Sequence, residues 1–292
     1  AIEDAIVGCS FPEGEQGMNI ARVASVLAGL GNTIGGVTVN RYCASGITAV
    51  QMAADRIRVG EADVMFAGGV ESMSMIPMGG NKPSLSPLIF EKDENIGIAY
   101  GMGLTAEKVA EQWKISREAQ DAFSLQSHQR AIAAMQAGHF DAEITPFDVI
   151  ERTPNLADGS VNVKTRTVSL DEGARPDTSL EGLAKLKPVF AAKGSVTAGN
   201  SSQTSDGAGA LIVASEAAVK RFGLTPLARF VSFAVRGTAR TAMSAFTDAE
   251  VYEHWTQLAR DAQKALAASL HDRAPDLEIG RHGVLNGDRW SE

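Results

Sequence analysis

The sequence predicts an α/β fold with a parallel sheet, because helical and strand patterns alternate through its first part. In "MNIARVASVLAGL" apolar residues recur at helical spacing, and the β-branched run "GVTVN" follows. A second helical pattern starts after Cys43 and ends near Gly60, where glycine suits a helix C-terminus. The apolar run "ADVMFAGG" is typical of a strand buried on both faces. Strands joined by helices pair in parallel, so this order indicates the α/β class.

Composition favours an ordinary globular protein. Of its 292 residues 44% are hydrophobic and 21% charged, which allows two domains or one large one. A formal net charge of −8 argues against a general affinity for nucleic acid or an anionic membrane. No apolar run approaches the roughly 20 residues of a membrane span, and no signal peptide is recognised. Two cysteines do not make a disulfide framework and fit a reducing compartment, so we expect a cytoplasmic protein.

The middle of the chain has a different character. From about Ser72 the sequence is rich in Met, Gly, Pro and Ser, which is typical of loops. Helices are predicted to begin near Thr105 and Ser116, and residues 141–195 are predicted to be irregular. This block has the pattern of an inserted lid or loop domain. After it, "GALIVA" is predicted as a buried run and "ARFVSFAV" as a further strand.

The last part of the chain predicts one amphipathic helix. Thr247 and Glu250 have the spacing of a capping box. The helix is expected to pack on the core or on a partner. One face of it carries the apolar residues Val251, Trp255, Leu258, Ala262 and Leu266.

Cys43, in "NRYCASG", is the candidate nucleophile. A free cysteine is usually a small buried hydrophobe. Here a strand enters a tight turn and a helix leaves it, and the helix dipole and backbone N–H groups at such a helix start favour a thiolate. The small residues Ala44, Ser45 and Gly46 would let a substrate approach closely. Spacing alone leaves both interpretations open, whereas Cys9 has no such setting and is interpreted as structural.

Six motifs in order carry a resemblance to a known family. They are "NRYCASG", "GGVESMS", "MGLTAEKVA", "ISREAQDAFSLQSHQRA", "KLKPVF" and "VTAGNSSQTSDGAGA". Together they resemble the thiolases, the acetyl-CoA acyltransferases and acetyltransferases, and the resemblance covers about residues 1–236. It is most evident towards bacterial thiolases that act on 3-ketoacyl-CoA. Ketoacyl synthases share the fold and a nucleophilic cysteine, but "GGVESMS" and "MGLTAE" favour a thiolase.

The resemblance implies a layered α/β fold, of which this chain has the first half only. Residues 1–74 and 205–236 would be the N-terminal core, and 75–204 the loop (lid) domain covering coenzyme A. Residues 237–292 would be a tail without a thiolase counterpart. The chain is expected to begin partway through the first helical unit, at "IEDAIVGCSFPEGEQG", and to lack the family's first strand.

The resemblance also implies site residues. Cys43 would accept the acyl group when 3-ketoacyl-CoA is cleaved to acetyl-CoA and a shortened acyl-CoA, or in the reverse condensation. Ser202, with Ala198 beside it, and Met102 would contact the pantetheine arm, and Arg175 would lie near the nucleotide. Coenzyme A would be a substrate, with no permanently bound cofactor and no metal.

Three further family motifs are not found in the sequence. They are a Gly-His-Pro histidine that activates the cysteine, a Cys-x-Gly acid/base cysteine, and an Asn-Glu-Ala-Phe segment of the oxyanion hole. We therefore expect little turnover by the chain alone, and either a homo-oligomer (dimer or tetramer) or a partner that supplies the missing half. A non-catalytic acyl-CoA-binding or assembly module and an inactive remnant remain alternatives.

Overall fold

The computed structural model describes residues 1–235, and the chain divides into two compact units, Ala1–Arg229 and Phe230–Glu292. Six strands are present in the described residues: β1 (Asp4–Gly8), β2 (Val37–Val39), β3 (Val64–Ser72), β4 (Phe147–Pro154), β5 (Val161–Val168) and β6 (Asp206–Ala214). Six α-helices accompany them: α1 (Ile20–Leu27), α2 (Ser45–Arg58), α3 (Met102–Trp113), α4 (Arg117–Gln136), α5 (Leu180–Ala184) and α6 (Glu216–Phe222). The predicted α/β class is confirmed.

The main sheet has four strands in the order β2-β1-β3-β6. β1 pairs in parallel with both β2 and β3, whereas β6 runs antiparallel to β3, so the sheet is mixed rather than wholly parallel. The prediction that the chain begins within a helical unit is wrong, because "DAIVG" is a central strand. Its Ala5, Ile6 and Val7 are buried, and such a short apolar segment forms its backbone hydrogen bonds with neighbouring strands.

Helix α2 covers one face of this sheet. Ala49 and Ala53 of α2 pack against Ile6 of β1 and Met65 of β3 in a buried cluster. The helix start approaches β1 closely at Gly8, where a Cβ would lie 2.5 Å from the Ser45 carbonyl carbon. Glycine is therefore required at this position, and it lets the first turn of α2 sit on the end of β1.

The apolar run "GALIVA" is a strand, as predicted, but it is not buried. Leu211 and Ile212 of β6 are 47% and 49% exposed, because β6 is the last strand of the sheet as described. Helix α1 likewise leaves Val26 and Leu27 exposed while burying Ala21 and Ser25. Both elements present apolar surface.

The middle of the chain contains α3, α4, α5 and a two-stranded antiparallel sheet of β4 and β5. Ser116 caps α4 as predicted, since its Oγ accepts the Ala119 N–H at 3.1 Å. Thr105 does not cap α3, which begins at Met102, and its hydroxyl donates to the Gly101 carbonyl one turn earlier. Residues 141–195 were predicted to be irregular, but they include the β4–β5 hairpin.

Two other predictions concern the end of the described region. "ARFVSFAV", residues 228–235, contains no strand, so that prediction is wrong. The amphipathic helix predicted after Thr247 lies outside the described residues. Among residues 1–235, no helix is long and apolar enough to cross a membrane.

Candidate active site

Cys43 lies in the turn that joins β2 to α2, and it is exposed. Tyr42, immediately before it, has a φ of +47°, a left-handed conformation that non-glycine residues adopt rarely. Ser45 stabilises the turn, because its hydroxyl donates to the Tyr42 carbonyl at 2.6 Å and accepts the Arg41 N–H at 2.7 Å. The turn therefore presents the thiol to solvent at the start of a helix whose inner face is buried.

The loop that follows β1 and carries Ser10 and Phe11 contacts the turn of Cys43. The Asn40 side chain donates to the Ser10 carbonyl at 2.8 Å, and its oxygen accepts the Tyr42 N–H at 2.9 Å. The rings of Phe11 and Tyr42 lie with centroids 6.2 Å apart, tilted at 57°, a common geometry for aromatic pairs. The loop and the turn are thus joined by hydrogen bonds and by ring packing.

Glu71, near the end of β3, holds that loop. Its carboxylate accepts the N–H groups of Ser10 at 2.7 Å and Phe11 at 3.3 Å, and the Gln16 side-chain amide at 2.6 Å. Burial raises the pKa of the Glu71 carboxyl, but the hydrogen bonds from Ser10, Gln16 and Phe11 outweigh it and bring the pKa below its ordinary value. Glu71 is therefore ionised at neutral pH.

Cys9 lies beside Glu71 and differs from Cys43. It is fully buried, with its Sγ 3.7 Å from a Glu71 carboxylate oxygen. Burial and the negative charge of Glu71 raise the pKa of the Cys9 thiol to about 11. Cys9 therefore stays a thiol at neutral pH, in line with the structural interpretation.

A cleft of about 900 Å³ lies between α4, α5 and two loops. Three of the residues singled out in the sequence line it together: Arg175, Ala198 and Ser202. Both Ala198 and Ser202 are exposed to the cleft. The Arg175 guanidinium is paired with Asp177, with Nη2 2.9 Å from Oδ2, and both side chains are 68% exposed. An anionic ligand could therefore replace Asp177 at low cost.

A buried polar network fixes the loop that carries Ala198 and Ser202. Asp121 of α4 accepts from Arg117 Nε at 2.8 Å and from Asn200 Nδ2 at 2.9 Å. Asn200 in turn accepts the Thr197 N–H at 2.7 Å. Arg117 also donates to the carbonyl of Leu183 at 2.6 Å and to that of Leu186 at 3.0 Å. The Asp121–Arg117 pair thus connects α4 with α5, with Leu186 just after it, and with the loop at 195–203.

Helix α3 holds the same loop from its other end. The Glu107 carboxylate accepts the N–H groups of Ser195 at 2.9 Å and Val196 at 3.0 Å. Met102, at the start of α3, is 42% exposed, and a Cβ on the next residue, Gly103, would overlap the Phe190 ring. Neither Met102 nor Cys43 lines the cleft, so the structure brings together three of the five predicted residues.

Sequence reasoning missed the polar residues that organise the site, namely Glu71, Glu107, Asp121 and Asn200. Glu71 lies inside the "GGVESMS" motif, Glu107 inside "MGLTAEKVA", Asp121 inside "ISREAQDAFSLQSHQRA" and Asn200 inside "VTAGNSSQTSDGAGA". The motifs thus held a signal for all four. Among residues 1–235, no three His, Cys, Asp or Glu side chains are grouped so as to hold a metal ion.

Comparisons with known proteins identify a family model and several relatives that match this chain. The family model "Thiolase, N-terminal domain" matches residues 1–217. The chain is 45% identical over 242 residues to a 3-ketoacyl-CoA thiolase of Bacillus subtilis strain 168, covering 83% of this chain and 61% of that protein. It is 42% identical over 256 residues to a beta-ketoadipyl-CoA thiolase of Pseudomonas putida, covering 83% and 62%. It is 46% identical over 221 residues to the peroxisomal 3-ketoacyl-CoA thiolase A of Rattus norvegicus, covering 76% and 50%. The chain therefore spans between 50% and 62% of the length of these relatives.

Proposed function

Because the chain belongs to the thiolase family, we propose that it carries the nucleophile and the coenzyme A cleft of a thiolase-type acyltransferase. The substrate would be a 3-ketoacyl-CoA, cleaved with coenzyme A to acetyl-CoA and an acyl-CoA shortened by two carbons, or formed in the reverse condensation. The observation that carries the proposal is Cys43, an exposed thiol that a hydrogen-bonded turn holds at the start of α2.

Two covalent steps account for this reaction. The Cys43 thiolate attacks the 3-keto carbon, the bond between C2 and C3 breaks, and C2 takes a proton as acetyl-CoA leaves. The thiolate of a second coenzyme A then attacks the acyl-Cys43 thioester and releases the cysteine. A thiolate suits both steps because it is a good nucleophile and a good leaving group near neutral pH.

The described residues provide the nucleophile but no base beside it that could relay the protons. The histidine and second cysteine that the family resemblance implies have no counterpart in the motifs of this sequence. We therefore propose that Cys43 can be acylated, whereas efficient turnover needs groups from a partner chain or from further sequence. Exposed apolar residues on α1 and β6 are consistent with such a partner or with a homo-oligomer in the cytoplasm.

The intact mass of the purified protein tests the nucleophile. After incubation with acetyl-CoA, we expect a single acetyl adduct that is absent in Cys43→Ala and retained in the matched variant Cys9→Ala. No adduct on the wild-type chain, or an adduct that survives Cys43→Ala, would contradict the assignment of Cys43. Peptide mapping would then show which residue, if any, is acylated.

We propose that the cleft binds coenzyme A, with Ser202 and Ala198 towards pantetheine and Arg175 towards the phosphates. Its volume of about 900 Å³ suits a ligand of that size, and Arg175 can exchange Asp177 for a phosphate. Calorimetric titration with coenzyme A should show weaker binding by Arg175→Ala, with a smaller dependence on salt. Lys220→Ala, which removes an exposed lysine of α6, is the matched control. Equal affinities in both variants would place the nucleotide elsewhere.

A further inference from the structure

We propose that Glu71 is a positioning residue that fixes the turn carrying Cys43 through Ser10 and Asn40. The inference rests on the proposed role of Cys43 as nucleophile. It assigns a task to a carboxylate that lies neither in the turn nor among the residues that line the cleft.

The Glu71 carboxylate matches the groups around it. Four donors converge on its two oxygens: the N–H groups of Ser10 and Phe11, the Gln16 amide and the Cys9 thiol. A carboxylate can accept all of them, because it has about four acceptor sites and no donor. A neutral amide at the same place would turn its own NH₂ group towards these donors. The site therefore requires the ionised acid rather than only its shape.

The connection from Glu71 to the turn runs through the backbone of Ser10 and the side chain of Asn40. Ser10 donates its N–H to Glu71, and its carbonyl accepts the Asn40 amide at 2.8 Å. Asn40 then accepts the Tyr42 N–H at 2.9 Å. Tyr42 is the residue in the left-handed conformation directly before Cys43. A backbone conformation that is unfavourable for tyrosine persists only where its surroundings hold it, and these contacts supply that support.

The rate of Cys43 carboxamidomethylation by iodoacetamide, followed by peptide mass spectrometry from about pH 6 to about pH 10, tests the proposal. The variants are Glu71→Gln, Asn40→Ala and the double variant. Glu13→Gln is the matched control, because Glu13 accepts a loop N–H from Asn81 and makes no contact with the turn. The urea unfolding midpoint of each variant reports any general loosening of the fold, because Cys9 itself touches Glu71 and cannot serve as that control.

We expect both single variants to change the Cys43 rate and the midpoint of its pH profile, while Glu13→Gln does not. If Glu71 acts through Asn40, the double variant behaves like Asn40→Ala alone, a departure from multiplicative effects of roughly three- to tenfold. An unchanged profile in Glu71→Gln, multiplicative effects, or an equal change in Glu13→Gln would each overturn the proposal. The alkylation needs no coenzyme A chemistry, so absence of the acetyl adduct would refute the proposed function separately.

Discussion

Replacing Asp121 by alanine should destabilise the protein strongly, because this side chain binds Asn200 of the 195–203 loop and holds Arg117, which contacts α5. The Asp121 and Arg117 side chains are 7% and 21% exposed, so solvent cannot replace their contact cheaply. The substitution removes the hydrogen bonds from Arg117 Nε at 2.8 Å and from Asn200 Nδ2 at 2.9 Å. It also leaves the guanidinium without a counter-ion.

The magnitude follows from these two losses. A hydrogen bond to a charged group contributes about 1.5–3 kcal/mol, and breaking a buried pair by removing one partner costs about 3–5 kcal/mol. Arg117 keeps the Leu183 and Leu186 carbonyls as acceptors and is about a fifth exposed, so the lower end applies. We expect Asp121→Ala to lower the free energy of unfolding by about 3 kcal/mol and Tm by roughly 6–12 °C.

Urea unfolding, followed by circular dichroism, measures the change in the free energy of unfolding. Calorimetric titration of the folded variant with coenzyme A measures the change in affinity. Because Asn200 shapes the loop of Ala198 and Ser202, affinity for coenzyme A should also fall. Glu216→Ala is the matched control, since it breaks another i, i+4 ion pair, with Lys220, whose side chains are 82% and 75% exposed. Its unfolding midpoint should not change. If Asp121→Ala lowered the free energy of unfolding by less than about 1 kcal/mol, the hydrogen bonds of Asp121 would not be essential to the stability of the middle block.

Three further predictions concern Gly8, Cys9 and Cys43. Gly8→Ala should cost about 1–3 kcal/mol of unfolding free energy, measured by urea unfolding, because its Cβ would lie 2.5 Å from the Ser45 carbonyl carbon; a neutral result would contradict the close approach. At pH 8 or so, iodoacetamide should label Cys43 in the native protein and Cys9 only after unfolding, as peptide mapping would show. The folded pKa of Cys9 is raised to about 11, so its contribution to stability is complete below its unfolded value of 9.0 and is lost as pH rises from there to about 11. In Cys9→Ala that alkaline loss should be smaller, and identical pH profiles of the unfolding midpoint would contradict the shift.

The parts of the fold that the sequence predicted are those with a strong local pattern. Strand β3, helix α2 and the Ser116 cap each follow from periodicity or capping chemistry within a few residues. Strand β1 was missed because its short apolar run, Ala5 to Val7, has no period that separates a strand from a helix end, and only pairing with β2 and β3 decides the matter. The β4–β5 hairpin was missed although "VNVKTRTV" alternates and Asp158–Gly159 marks a turn.

The site was predictable to a similar degree. Three of the five residues proposed from the motifs, Arg175, Ala198 and Ser202, lie in one cleft. The residues that hold them were not found. Asp121 meets Asn200 from 79 positions away, and a charged residue inside a helix ordinarily faces solvent. Only the tertiary structure shows that this one is buried and paired.

The outer edge of β6 bears on how this chain behaves in concentrated solution. Within residues 1–235, β6 pairs only with β3, so its other side offers unpaired N–H and C=O groups along nine residues, "DGAGALIVA". Asp206 at its first position is the only charge, and no lysine or proline interrupts the run. Natural sheets protect such edges, because an uncharged flat strand acts as a template for a strand from another molecule. Where no further strand covers this edge, ageing samples should form β-rich aggregates, and a charged residue introduced in this strand would delay them.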